Sequence, residues 1–159
     1  MSNWSIRKAQ AGDEDRILTL IRDLALYEKE PEQAVATPAD ITQALFSETP
    51  TAECVLAERD GETLGFALFF TNFSTWTGRP GLYLEDLFVR ETARGSGIGK
   101  ALLLHLASIA RERGYGRMEW SVLDWNQPAI DFYESLGAKP MDGWTVYRLD
   151  RAALIALDS

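Results

Sequence analysis

The sequence predicts a single α/β (α+β) domain built around a mixed sheet, and three observations carry that prediction. The chain has 159 residues, 46% of them hydrophobic and 25% charged, a globular mix with one domain's worth of core. Its apolar residues switch between period 2 and period 3.6 along the chain. Three strand-like segments run consecutively through its centre, and strand–helix–strand passages follow them. The consecutive strands predict an antiparallel meander; the later passages demand crossovers.

Trp4-Ser5-Ile6-Arg7 reads as a short first strand. Ala11-Gly12-Asp13 then caps a helix whose inner positions are Ile17, Leu20, Ile21 and Leu24, running to about Tyr27-Glu28 with Pro31 just beyond. Thr37-Pro38 opens a second short helix, with Thr37 as N-cap, Pro38 in the first turn, and Ile41 and Leu45 inward. Glu53 to Glu58 is a strand, Asp60-Gly61 the centre of a tight turn, and Thr63 to Phe73 an almost wholly apolar, central partner strand. A loop from Ser74 to Gly81 leads to a third long strand, Leu82 to Val89. Gly95 to Gly99 is a glycine-rich turn opening a helix from about Ile98 to Arg113, with Leu102, Leu106, Ile109 and Ala110 inward and Gly114 at its end. Arg117 to Leu123 reads as a strand. Asn126 caps a helix with Pro128 in its first turn and Gly137 at its end, Trp144 to Leu149 is a last strand, and Arg151 to Leu157 a short helical end.

Net charge is −8, which speaks against nucleic acid or an anionic membrane as partner. It is uneven: residues 28–62 carry −7, whereas residues 90–117 carry +4. Solvated helix faces would explain this, and so would two sites for ligands of opposite sign. The one cysteine, Cys54, allows no internal disulfide and reads as a small buried hydrophobe. His105, the one histidine, reads as structural, and no metal site is expected. The first residues show no apolar signal core and no run is long enough to span a membrane, so a cytoplasmic protein is the expectation.

Arg94-Gly95-Ser96-Gly97-Ile98-Gly99-Lys100 follows a strand and opens a helix, a context in which free backbone N–H groups receive phosphates. A Walker A loop is excluded, because Ala101 stands where a magnesium-binding hydroxyl belongs. A dinucleotide fingerprint is excluded as well, because the third glycine comes one residue early. The pattern [Arg/Gln]-x-x-Gly-x-[Gly/Ala] is met by Arg94, Gly97 and Gly99. It resembles the pyrophosphate loop of the acetyl-CoA-dependent GNAT acetyltransferases.

The resemblance extends over nearly the whole chain. Tyr27-Glu28, Tyr83-Leu84-Glu85-Asp86-Leu87-Phe88-Val89, the glycine loop, Trp125-Asn126-Gln127-Pro128, Phe132-Tyr133, Gly137-Ala138 and Gly143-Trp144 occur in order and at matching spacing. They are similar to the diamine (spermidine/spermine and thialysine) acetyltransferase branch. The short turn at Asp60-Gly61 departs from animal members, which carry a longer insertion there. The resemblance implies a mixed, mostly antiparallel sheet of about six to seven strands with about four flanking helices. It also implies acetyl-CoA as cosubstrate, a small cationic amine as acceptor, direct attack within a ternary complex, and a homodimer. Thialysine, lysine-like amino acids and other small amines are the alternative acceptors, and a non-catalytic CoA-binding module is the alternative class.

Site residues follow from the same resemblance. Tyr133 is the general acid for the leaving thiolate, since a phenol's ordinary pKa of ~10 lies near that of an alkyl thiol. Glu85 is the base, directly or through water. Strand alternation would send Glu85 and Asp86 to opposite faces, which argues against a paired acid/base dyad. Leu87, Phe88 and Val89 would meet the pantetheine arm through their backbone. Arg94, Gly95, Ser96, Gly97, Ile98, Gly99 and Lys100 would hold the phosphates, and Asn126, Gln127, Pro128 and Ala129 would add cofactor contacts. Tyr27, Glu28, Glu85, Asp86, Glu119, Trp120, Ser121 and Asp142 would line the amine pocket, where acidic and aromatic groups suit a cation.

Overall fold

The computed structural model describes residues 3–157; the two residues at each end of the predicted domain lie outside the described residues. The chain divides into two compact units that adjoin in sequence at Ser121 and Val122.

The first unit is built on five strands: β1 (Ser5–Lys8), β2 (Glu53–Arg59), β3 (Glu62–Ser74), β4 (Arg79–Val89) and β5 (Met118–Glu119). They lie in the order β1-β2-β3-β4-β5, antiparallel from β1 to β4, with β5 parallel to β4. The apolar run of β3 makes it the centre, as its composition predicts. Three helices accompany the sheet: α1 (Glu14–Tyr27), α2 (Pro38–Phe46) and α3 (Ile98–Glu112). Ile17, Leu20 and Leu24 of α1 and Ile41 of α2 share a core with Cys54, Leu56, Phe66 and Phe88 of the sheet. Leu102, Leu103 and Leu106 bury the apolar stripe of α3, which packs on β2, β3 and β4.

Local signals explain most boundaries. Thr37 accepts from the Asp40 amide while Asp40 accepts from the Thr37 amide, a complete capping box. Asp60 and Gly61 both take positive φ in the β2–β3 turn, as an Asp-Gly hairpin requires. Asp13 corrects the expected cap: its side chain does not cap α1. It receives Arg7 Nη1 at 2.8 Å, Arg7 Nη2 at 2.9 Å and the Gln10 amide at 2.8 Å. That pairing ties β1 to the start of α1 and holds the Asp13 carboxyl down at about 2.

The second unit holds α4 (Gln127–Ser135) and α5 (Arg151–Ala156). Asn126 precedes α4 without a side-chain cap, another correction, whereas Asp150 caps α5 by accepting from the Ala153 amide. The expected last strand is also corrected, since residues 144–149 carry no strand pairing and are exposed throughout. The expected strand over 117–123 contracts to the two residues of β5. Among the described residues the sheet therefore has five strands rather than six or seven.

Candidate active site

β4 positions the predicted chemistry, and an irregularity within it decides which way the side chains face. Leu68 of β3 pairs with Asp86, and its neighbour Phe69 pairs with Leu84. Glu85 is left without a partner, the extra residue of a β-bulge. Leu84 is buried, Glu85 exposed and Asp86 half-buried. Asp86 shares a face with Leu68 and Cys54, because directly paired residues point the same way.

The bulge interrupts the regular alternation from which opposite faces for the two carboxylates are expected. Burial pushes the Asp86 carboxyl up to about 6, and the charges of Glu85 and Glu28 add to it. Burial also raises the Glu28 carboxyl. Glu28 lies just beyond the C-terminus of α1, so helix and bulge bring three acids into electrostatic contact. No arginine or lysine forms a salt bridge with any of them among the described residues. A half-buried carboxyl without a cation is expensive in a folded chain and suits a site that receives one from outside.

β4 also opens beside these acids. β5 pairs with it only through Leu82–Met118 and Tyr83–Glu119. Beyond Tyr83, residues 84–89 have no strand partner on that side among the described residues, and such an edge can receive an extended amide chain. Tyr83 stacks with Phe70, ring centroids 5.1 Å apart, and its hydroxyl meets Ser121 Oγ at 3.1 Å. The predicted pocket residue Ser121 is thereby fixed next to the strand of Glu85. Glu119 is directed otherwise, to Arg117 Nε at 3.3 Å.

The glycine-rich turn follows β4. Gly95 has φ 81° and Gly97 φ 86°, both left-handed, and a Cβ on either would meet nothing within 4 Å. Only glycine adopts this geometry readily, and the surrounding space is open. Gly97 is the N-cap of α3 and provides no side-chain cap; no acidic residue occupies the first turn. The first amides of this helix have no side-chain cap and the space beside Gly95 and Gly97 is open, a setting that suits an anion. Ser96 Oγ donates to Ala93 O and braces the turn. The Ile98 side chain is buried, so only its backbone can serve a ligand, and Lys100 is exposed.

The sequence model of the acetyltransferase (GNAT) family matches residues 18–138. The chain belongs to the GNAT family. It is similar to the thialysine N-epsilon-acetyltransferase of Bos taurus, 38% identical with 94% of each chain covered. It is also similar to the L-ornithine N5-acetyltransferase of Arabidopsis thaliana, 43% identical over 70% of this chain and 50% of that one. Among solved structures, an integron cassette protein from the mobile metagenome of V. cholerae superposes with a TM-score of 0.82. It is 28% identical, with 99% of this chain and 98% of that chain covered. These relatives support an N-acetyltransferase.

In this GNAT chain the remaining predicted residues fall as follows. Tyr27 is at the end of α1, its ring 6.5 Å from that of Phe88. Trp120 is half-buried just after β5. In the second unit, Asn126 is buried at the start of α4, followed by Gln127, Pro128 and half-buried Ala129. Tyr133 is half-buried on the same helix against Phe132, ring centroids 5.5 Å apart. Asp142 is exposed in the segment between α4 and α5.

Arg94 makes its side-chain contacts outside the glycine turn. Its Nε donates to Val89 O at 3.0 Å, and its guanidinium lies over the rings of Tyr27 and Phe88 rather than over the glycine turn. Sequence reasoning also missed Tyr83 and Phe70 as site walls; an aromatic two residues before Glu85 on the same strand was the available signal. A cavity of about 610 Å³, walled by Leu45, Phe46, Cys54 and the same Phe70, includes none of the predicted site residues. Cys54 is buried there with its thiol pushed well above the ordinary range, which suits a packing role. Among the described residues no group of three or more His, Cys, Asp or Glu is arranged to hold a metal ion, and no helix is long and apolar enough to cross a membrane.

Proposed function

We propose that this N-acetyltransferase moves an acetyl group from acetyl-CoA to the primary amine of a small cationic acceptor, by direct attack in a ternary complex. One observation supports it above the others: Asp86, beside the bulge at Glu85, feels the charges of Glu85 and Glu28 and none of the three forms a salt bridge among the described residues, while the strand leads on to an open glycine turn. When bound, acetyl-CoA supplies the activated acetyl thioester.

The chain's own residues supply the rest. Gly95, Gly97 and the first amides of α3 would receive the phosphates, and the free edge of β4 at Leu87–Val89 would receive the amide arm. Asn126, Gln127, Pro128 and Ala129 would add contacts from the start of α4. Glu28 and Asp86 would attract the acceptor's ammonium, with Tyr27, Trp120, Ser121 and Asp142 as further walls. Glu85, exposed at the bulge, would take the proton that the ammonium must lose before it attacks. Tyr133 would return a proton to the thiolate as it leaves. A homodimer and a cytoplasmic setting belong to the same proposal; sedimentation analysis tests the first.

A polyamine or diamine is the first acceptor class, because three clustered carboxyls suit a molecule with several ammonium groups. A second reading, an amino acid with a side-chain amine, is favoured by the thialysine and ornithine acetyltransferases among the relatives. Incubation with acetyl-CoA and spermidine, putrescine, thialysine or lysine, following free thiol, tests both. Amine-dependent thiol release supports the proposal and ranks the acceptors. No release with any amine would reject it.

A further inference from the structure

Arg94 belongs by motif to the cofactor loop, yet its side chain is committed to the acceptor side. The guanidinium carbon lies 5.0 Å from the Tyr27 ring centroid and 5.4 Å from that of Phe88. Tyr27 adjoins Glu28, and Phe88 follows Asp86 by two positions on β4, so both rings border the acidic cluster. A guanidinium over a ring makes the same kind of contact that a substrate ammonium would make there.

We propose that Arg94 competes with the acceptor amine for the cation seat on Tyr27, and that the phosphates of acetyl-CoA relieve this competition by drawing Arg94 towards the glycine turn. The proposal rests on the reading above, with the amine at Tyr27–Glu28 and the phosphates at residues 95–100.

The geometry gives Arg94 two alternatives. It is exposed, it lies in extended backbone at φ −70° and ψ 153°, and it directly precedes Gly95. Its side chain can therefore change partners without disturbing a strand or helix. The contacts it makes now are one hydrogen bond to a neutral carbonyl and two rings, the exposed Tyr27 and the buried Phe88. A phosphate offers charge-assisted, bidentate hydrogen bonds, which are stronger than neutral ones. The phosphate is thus the preferred partner once it is within reach, and the Tyr27 face passes to the amine. Because linkage is reciprocal, the amine must raise CoA affinity by the same factor.

Calorimetry on the full chain, with the best acceptor from the panel and CoA as an unreactive partner, reads this coupling. In wild type, saturating CoA should tighten amine binding by about fivefold or more. In Arg94→Gln the amine should bind tightly without CoA, and the ratio should fall close to one. Arg94→Lys keeps a mobile cation and should restore most of the coupling. Tyr27→Leu removes the seat, so it should weaken the amine mainly in the presence of CoA and bring the ratio close to one. A wild-type ratio of one, or an unchanged ratio in Arg94→Gln, would overturn the proposal. Turnover of an amine with unchanged coupling rejects this inference alone, whereas absence of turnover rejects the functional reading beneath it.

Discussion

Asp86 should cost the protein stability at neutral pH, and removing its charge should recover it. Burial and the charges of Glu85 and Glu28 raise its carboxyl from an ordinary 3.8 to about 6. The folded state therefore holds its proton over a window in which the unfolded state has released it. Below about pH 4 both states are protonated and Asp86 carries no penalty. Through the window to about pH 6 stability falls as pH rises, and above it the full penalty stands. The displacement corresponds to about 3 kcal/mol, a ceiling that relaxation in solution reduces. Asp86→Asn keeps the shape and removes the titration. At pH 7.5 the variant should melt higher by roughly 5–10 °C, from about 2–4 °C per kcal/mol for a chain of this size. At pH 4 the two should nearly coincide. Urea titrations of both proteins at the two pH values give the free energies directly. A difference between variant and wild type that is the same at pH 4 and 7.5 would refute the reasoning, since only a titrating group produces a pH-dependent gap. If Asp86 holds the acceptor, the more stable variant should also show a raised KM for the amine, a trade of stability for function.

The other predictions concern single residues. Tyr133→Phe should lower kcat with little change in acetyl-CoA affinity, measured by steady-state kinetics and calorimetry; an unchanged kcat removes Tyr133 as the acid. Glu85→Gln should flatten the rise of rate with pH, and a wild-type profile in the variant would sink its role as base. Gly97→Asp puts a side chain at φ 86° and an anion at the phosphate opening; it should abolish CoA binding at a folding cost of about 1–2 kcal/mol, and normal affinity would mean the loop is misassigned. Asp13→Ala removes two of Arg7's hydrogen bonds, leaving it Glu58, and strands the Gln10 amide, and should destabilise by about 1–3 kcal/mol at pH 7. Because the Asp13 carboxyl lies at about 2, its contribution is full above about pH 4 and is lost as pH falls towards 2, which acid denaturation of wild type and variant would show.

Elements governed by local chemistry were legible in the sequence. Thr37 as N-cap, the Asp60-Gly61 hairpin, the apolar stripe of α3 and the glycine turn before it follow from short-range patterns that tertiary structure did not override. Elements governed by partners were not. Alternation predicts the faces of Glu85 and Asp86 only if β4 pairs regularly, and a bulge is a property of two strands. Asp13 sits where a cap belongs, but Arg7 offers it a charged, bidentate partner, which is stronger than a free amide. Trp144 to Leu149 has the composition of a strand and no neighbouring strand among the described residues to complete one. Arg94 carries the loop motif in its backbone position, while its side chain answers to rings contributed by α1 and β4.

The central claim is that one acetyl group passes from acetyl-CoA to one amine for each thiol released. Quantifying N-acetylated amine by mass spectrometry and free thiol in the same incubation tests it. Equal amounts of the two are expected, both dependent on the amine, with no acetyl group left on the chain. Thiol released at the same rate without amine, or an acetyl group accumulating on the protein, would contradict it.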